Sequence, residues 1–245
     1  MRIGLLLLFT VMGFSAAAQK IRVAVAANAQ FVMEKLQAGF EKKTGLTVEP
    51  IVNSSGKLTA QIQHGAPFDV FLSADLDYPE ILYKAGLSQT VPRIYAYGLL
   101  VLWTQTGFNP AKGLAVLTDK RIHKIAVANP KLAPYGAAAV DMLTRQNRLN
   151  ALQPKLVYGE SIAQVNQYLL SGAVEAGFTA KSVVLEPALR GKGRWVEVKD
   201  AKPIAQGVIL LKNAQPKARK FYEYLFSAEA QAIFRQYGYQ TPSRL

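Results

Sequence analysis

Lys20-Ile21-Arg22-Val23-Ala24-Val25-Ala26-Ala27-Asn28-Ala29-Gln30-Phe31-Val32-Met33-Glu34-Lys35-Leu36-Gln37-Ala38-Gly39-Phe40 opens the interpretable part of the chain. Its first seven residues are an apolar, β-rich run. From Phe31 to Lys43 the apolar residues Val32, Leu36 and Phe40 fall at i, i+4 and i+8, one face of a helix, and Thr44-Gly45 ends it. Between strand and helix lie a few small or polar residues, Ala26 to Ala29. That strand–turn–helix shape recurs at Val52-Asn53-Ser54-Ser55-Gly56-Lys57, at Asn129 to Gly136, and at Tyr158-Gly159-Glu160-Ser161-Ile162. A helix N-terminus carries unpaired N–H groups and the positive end of the helix dipole. Four of them converging would hold a small anion without any cationic side chain.

The alternation continues outward. Leu46–Val52, Asp69–Ser73, Lys124–Ala128, Lys155–Val157, Ala176–Thr179 and Gln206–Lys212 read as strands. Lys57–His64, Asp75–Ala85, Gly136–Asn147, Ser161–Ser171, 215–226 and 228–237 read as helices, and residues 95–103 as one long strand. Regular βα alternation implies an α/β fold of mostly parallel sheets covered by helices, with ligands beyond the carboxyl ends of the strands. Two of the four junctions precede residue 97 and two follow it, so a shared site requires two lobes facing each other. The expected division is 19–97 plus 207–245 for the first lobe and 98–206 for the second.

Residues 1–18 read as an export signal: Arg2, an apolar run from Ile3 to Phe14, and Ala16-Ala17-Ala18 before Gln19. The apolar run is too short to span a bilayer. Removing 18 of 245 residues leaves 227, enough for two lobes of roughly 100 residues. Half of the residues are apolar and none is cysteine, so no disulfide or thiolate metal site is available. The net charge is +13, but the Lys and Arg residues are scattered in short clusters such as Lys42-Lys43 and Lys217 to Lys220. No basic stripe with interleaved aromatics exists, so nucleic acid is not the expected partner.

Enzyme motifs are absent. His64 and His123 lack ligand spacing, and neither Gly-x-Ser-x-Gly nor His-Glu-x-x-His occurs. Ser55-Gly56-Lys57-Leu58 mimics the end of a P-loop, but Ile51 replaces its first glycine and Leu58 its Ser/Thr. A hydrolase using Ser55 as nucleophile would need a base, and no histidine lies in any junction. Asn28 and Ser55 each have a plain alternative role as helix N-caps. Asp69 and Asp75 read as turn- and helix-fixing carboxylates.

Val25-Ala26-Ala27-Asn28, the Asn53-Ser54-Ser55-Gly56 turn, the run from Gly65 to Asp75 (Gly-Ala-Pro-Phe-Asp-Val-Phe-Leu-Ser-Ala-Asp) and the ending Ala230 to Tyr239 resemble the periplasmic molybdate-binding proteins of bacterial ABC importers. The resemblance covers nearly the whole chain after residue 18. It implies a type II periplasmic-binding-protein fold with the ligand in the cleft between two lobes, and it implies no catalysis. It also implies a monomer without cofactor that carries molybdate or tungstate to a membrane permease. Molybdenum would be held only as the oxyanion, with no direct protein ligand. By this resemblance Asn28 is the first-loop donor, where many members carry serine. Ser55 is the second-loop serine with Ser54 beside it, Tyr135 stands in the third loop, and Ile162 offers a backbone N–H. Some members place a tyrosine where this chain has Ala180, a hydroxyl that Tyr135 would replace. The resemblance does not by itself name the oxyanion; sulfate and phosphonate are the alternatives. Molybdate is fully ionised near neutral pH and accepts at every oxygen, so a site of donors without carboxylates suits it. Glu160 is expected to point away from such a site or to pair with a base.

Overall fold

The computed structural model describes residues 20–242; the expected export signal lies outside them. The first lobe begins with β1 (Ile21–Ala26), α1 (Gln30–Thr44), β2 (Val48–Asn53), α2 (Ser55–Gln63), β3 (Val70–Leu72), α3 (Asp77–Lys84) and β4 (Arg93–Gly98). The second holds β5 (Leu100–Thr104), β6 (Ile125–Ala128), α4 (Pro134–Arg145), α5 (Leu149–Leu152), β7 (Leu156–Gly159), α6 (Ile162–Leu170), β8 (Ala176–Ala180), α7 (Lys181–Val184) and β9 (Arg194–Glu197). The chain then returns to the first lobe as β10 (Ile204–Leu210), α8 (Ala218–Tyr224) and α9 (Ala228–Gln236).

Each lobe has a five-stranded sheet, in the order β2-β1-β3-β10-β4 and β7-β6-β8-β5-β9. The pairings β1–β2, β1–β3, β6–β7 and β6–β8 are parallel, whereas β10 and β5 run against both of their neighbours. The two reversed strands are the ones that enter a lobe from the other. All other strands run toward the cleft, so a chain that crosses it must run away from it. The region expected as one strand, 95–103, is such a crossing. It divides at Leu99, with β4 paired to β10 and β5 paired to β8 and β9. Sheet pairing thus carries the first lobe through Gly98 and resumes it at Ile204.

Strand alternation sorts the first lobe's core. Ile21, Val23 and Val25 face α1, α8 and α9, where Phe40 packs edge-on against Phe221 at 5.1 Å between ring centroids. Ala24, Phe71 and Ile209 face the opposite way, with Leu58 of α2 and Leu82 of α3. Burying one such side chain is worth about 1.5–3 kcal/mol. The second lobe has one core around Leu102, Val127 and Phe178. The Asp69 carboxylate knits the first lobe's open end, accepting from the Arg22 and Gln215 backbone N–H groups at 2.7 and 2.9 Å. β9 is not among the strands expected from sequence: it is only four residues long and begins at Arg194, the last residue of the Gly- and basic-rich run 190–194.

Candidate anion site between the lobes

Each junction places its residues at the cleft by a local device. After β1, residues Ala27–Ala29 form a single 3-10 turn with Asn28 buried. After β2, Ser54 caps α2, its Oγ accepting from the Lys57 N–H at 3.4 Å. Ser55 is therefore not the cap but the first helical residue, and Asn28 caps no helix. After β6, Pro134 sits at the start of α4, where its missing N–H costs nothing, and Tyr135 follows it. After β7, Ser161 caps α6 by accepting from Gln164 N–H at 3.3 Å, which leaves Ile162 as the first helical residue. The N–H groups of Ser55, Tyr135 and Ile162 have no acceptor within their own helices.

Asn28, Ser55, Tyr135 and Ile162 border one small cavity of about 10 Å³ between the lobes. Ser54 borders it too, and among the described residues no Asp, Glu, Lys, Arg or His does. A groove of about 930 Å³ beside Arg93 and Phe226 is far larger but gathers no set of helix N-termini. For a small polar anion, converged donors matter more than volume. No three His, Cys, Asp or Glu side chains converge anywhere among the described residues.

The hydrogen bonds around the cavity decide which groups remain free to donate. Ser55 Oγ accepts from the Ala74 N–H at 3.0 Å, leaving its own proton unassigned. Tyr135 Oη accepts from Gln206 Nε2 at 2.9 Å, leaving its proton unassigned as well. Burial pushes the Tyr135 phenol well above the usual tyrosine range, and the neighbouring Tyr239 raises it further. It stays protonated and can donate at any physiological pH. The Asn28 side chain differs from the donor expected. Its Nδ2 gives its hydrogens to Gln206 Oε1 at 2.8 Å and Tyr239 Oη at 3.0 Å, and its Oδ1 has no partner. The Asn28 side chain therefore has no N–H left for the cavity. Gln206, Tyr95 and Tyr239, all buried, were not singled out from sequence. The available signal was a lone amide inside the apolar strand Ile204 to Leu210.

The lobes meet around the cavity. Gly56 N–H donates to Leu132 C=O at 2.9 Å, Tyr78 Oη donates to Lys131 C=O at 3.0 Å, and Ser182 Oγ donates to Asn28 C=O at 2.7 Å. A Cβ on Gly56 would lie 2.8 Å from Tyr78 Oη and 3.1 Å from the Leu132 backbone, so this approach needs glycine. Glu160 turns from the cavity and pairs across the cleft with Lys57. The Lys57 side chain is 36% exposed and that of Glu160 63%, so the pair is a weak one. Glu160→Gln is expected to change anion affinity less than about fivefold, and less still at high salt. Titrations at two ionic strengths check this; a tenfold or larger loss would make the pair a principal closing element.

The sequence profile of the bacterial extracellular solute-binding proteins matches residues 21–240. The molybdate-binding protein ModA of Azotobacter vinelandii is 40% identical over 231 residues, 92% of this chain and 91% of that one. ModA of Rhodobacter capsulatus is 40% identical over 253 residues, 98% of this chain and 97% of that one. The solved Azotobacter vinelandii periplasmic molybdate-binding protein superposes with a TM-score of 0.84 at 33% identity, covering 91% of this chain and all of that one. With the two sheets described above, this is the type II periplasmic-binding fold. The chain belongs to the bacterial extracellular solute-binding proteins, within the family of the molybdate-binding proteins.

Proposed function

We propose that this protein captures molybdate, and its congener tungstate, outside the cytoplasmic membrane and delivers it to an ABC permease. The observation that carries the reading is the convergence of Asn28, Ser55, Tyr135 and Ile162 on one cavity bordered by no ionisable group other than a phenol. In this reading Ser55 and Tyr135 donate through their hydroxyls, Ile162 through its N–H, and the Asn28 turn through its backbone. Charge-assisted bonds to a dianion are roughly twice as strong as neutral ones and offset its desolvation. Phosphate retains a proton near neutrality and would benefit from a carboxylate acceptor, which this cavity lacks. Residues 1–18 direct export and are removed. The protein acts as a monomer and performs no catalysis; the anion is cargo.

The bodies that move follow the expected 19–97 with 207–245 and 98–206, except that Gly98 and Ile204–Gln206 pair within the first lobe's sheet, so the chain bends near Leu99 and in the segment before Ile204. The anion bridges them, and the closed form is the one the permease receives. Calorimetric titration with molybdate, tungstate, sulfate and phosphate at neutral pH tests the reading. Tight one-to-one binding of the first two alone is expected. Binding of sulfate or phosphate instead would keep the closure mechanism and replace the ligand. Ser55→Ala is expected to weaken molybdate by about 1–3 kcal/mol, because one oxygen of a charged group then lacks a donor. Unchanged affinity in that variant would move the site elsewhere.

A further inference from the structure

We propose that Gln206 is a positioning residue for this site, fixing the direction in which the Tyr135 hydroxyl offers its proton. The inference rests on the anion-binding reading above.

Gln206 is fully buried in β10, at a point where the β10–β4 register shifts between Gln206 and Gly207. Such a bulge re-aims a side chain. Here the amide reaches Asn28 on one lobe and Tyr135 on the other. The hydrogen bonds form a chain of single polarity. Asn28 C=O accepts from Tyr239 Oη at 3.1 Å, so the Tyr239 oxygen is left to accept from Asn28 Nδ2. That orientation turns the second Nδ2 hydrogen to Gln206 Oε1, which also accepts from Tyr95 Oη at 2.8 Å. The amide's other end, Nε2, then faces Tyr135 Oη as a donor.

A phenol has one proton. With an N–H on its oxygen, Tyr135 has no acceptor at Gln206, and its proton is free for the cavity. Rotating the Gln206 amide alone would set an N–H against the Asn28 N–H groups, which is costly in a buried network, although Tyr95 Oη would keep an acceptor in the Ser73 C=O at 3.2 Å. The terminal bond of the chain also has its own accommodation in the backbone. A Cβ on Gly98 would lie 2.0 Å from both Gln206 Nε2 and Tyr135 Oη, so the amide–phenol contact occupies the space a side chain would take.

The test is a double-mutant cycle read as molybdate dissociation constants, using Gln206→Met, Tyr135→Phe and the pair in the otherwise intact protein. Gln206→Met alone is expected to weaken binding about tenfold or more, and Tyr135→Phe about tenfold to a hundredfold. In the Tyr135→Phe background, Gln206→Met is expected to cost less than about threefold, because its route to the anion is already gone. Additive losses would overturn the proposal. An infrared difference spectrum of the tyrosine C–O stretch supplies a readout that packing does not move. A band absent in Tyr135→Phe should shift to the donating position on molybdate addition in the unmodified protein and not in Gln206→Met. If Gln206→Met does not fold, the isosteric Gln206→Glu serves. Its carboxylate has no N–H to give and draws the phenol proton to itself, so binding should fall at least as far as in Tyr135→Phe; near-normal binding would overturn the proposal. Failure of the unmodified protein to bind molybdate would sink the ligand reading and this inference with it, whereas normal binding with an additive cycle sinks this inference alone.

Discussion

Gly136→Ala is expected to lower stability by about 3 kcal/mol and to weaken molybdate binding about a hundredfold. Gly136 is the third residue of α4 and is buried. A Cβ there would lie 2.0 Å from the Ala128 carbonyl oxygen and 2.6 Å from its carbon. These are backbone atoms at the end of β6, so no side chain can swing aside. The start of α4 would have to lift from the strand by an ångström or more. That movement breaks local packing and carries Tyr135, the adjacent residue, away from the cavity and from Gln206 Nε2. Thermal melts and calorimetry on one preparation separate the two effects. Gly107→Ala is the control: nothing lies within 4 Å of its Cβ, and it should alter stability by less than about 0.5 kcal/mol. A Gly136→Ala protein that melts and binds normally would mean that α4 starts farther from β6 than described.

The same residue shows what sequence can and cannot convey. The junction around it was legible, because a strand that ends in small residues before a helix leaves a local pattern. All four junctions carry that pattern, and Asn28, Ser55, Tyr135 and Ile162 line one cavity. The Gln206 network was not legible. It joins residues 178 and 71 positions apart along the chain, and no periodicity reports a contact between lobes. Polarity was equally hidden. Asparagine can donate or accept, and only its neighbours Tyr239 and Gln206 show that its hydrogens are taken. The crossing at Leu99 was masked because extended chain continues through it, with β4 and β5 both apolar and only one residue apart.

Asp75→Asn is expected to stabilise the protein above pH 6, by at most about 3 kcal/mol, and to make no difference near pH 4. Burial raises the Asp75 carboxyl from its ordinary 3.8 to about 6, against the lowering effect of bonds from Ser73 Oγ and the Tyr78 N–H. The folded state therefore holds a proton that the unfolded state has released between about pH 4 and 6. Stability contributed by this group falls as pH rises through that window, and the full cost of the buried charge is present above it. Asparagine keeps the oxygen that accepts from Ser73 and Tyr78 but carries no charge. Denaturant unfolding of both proteins at pH 4, 6 and 7.5 checks the result; a gain independent of pH, or a loss, would refute it. The position of Asp75 gives a reason for keeping a destabilising acid. Its carboxylate fixes the turn that starts α3, and its C=O accepts from the Gly207 N–H at 2.9 Å, directly after Gln206. From that same turn Tyr78 reaches across the cleft to Lys131. A charged acceptor holds the Tyr78 backbone and the Ser73 hydroxyl more firmly than an amide does. Asp75→Asn should therefore combine higher stability with looser closure, read as faster molybdate release in stopped-flow experiments.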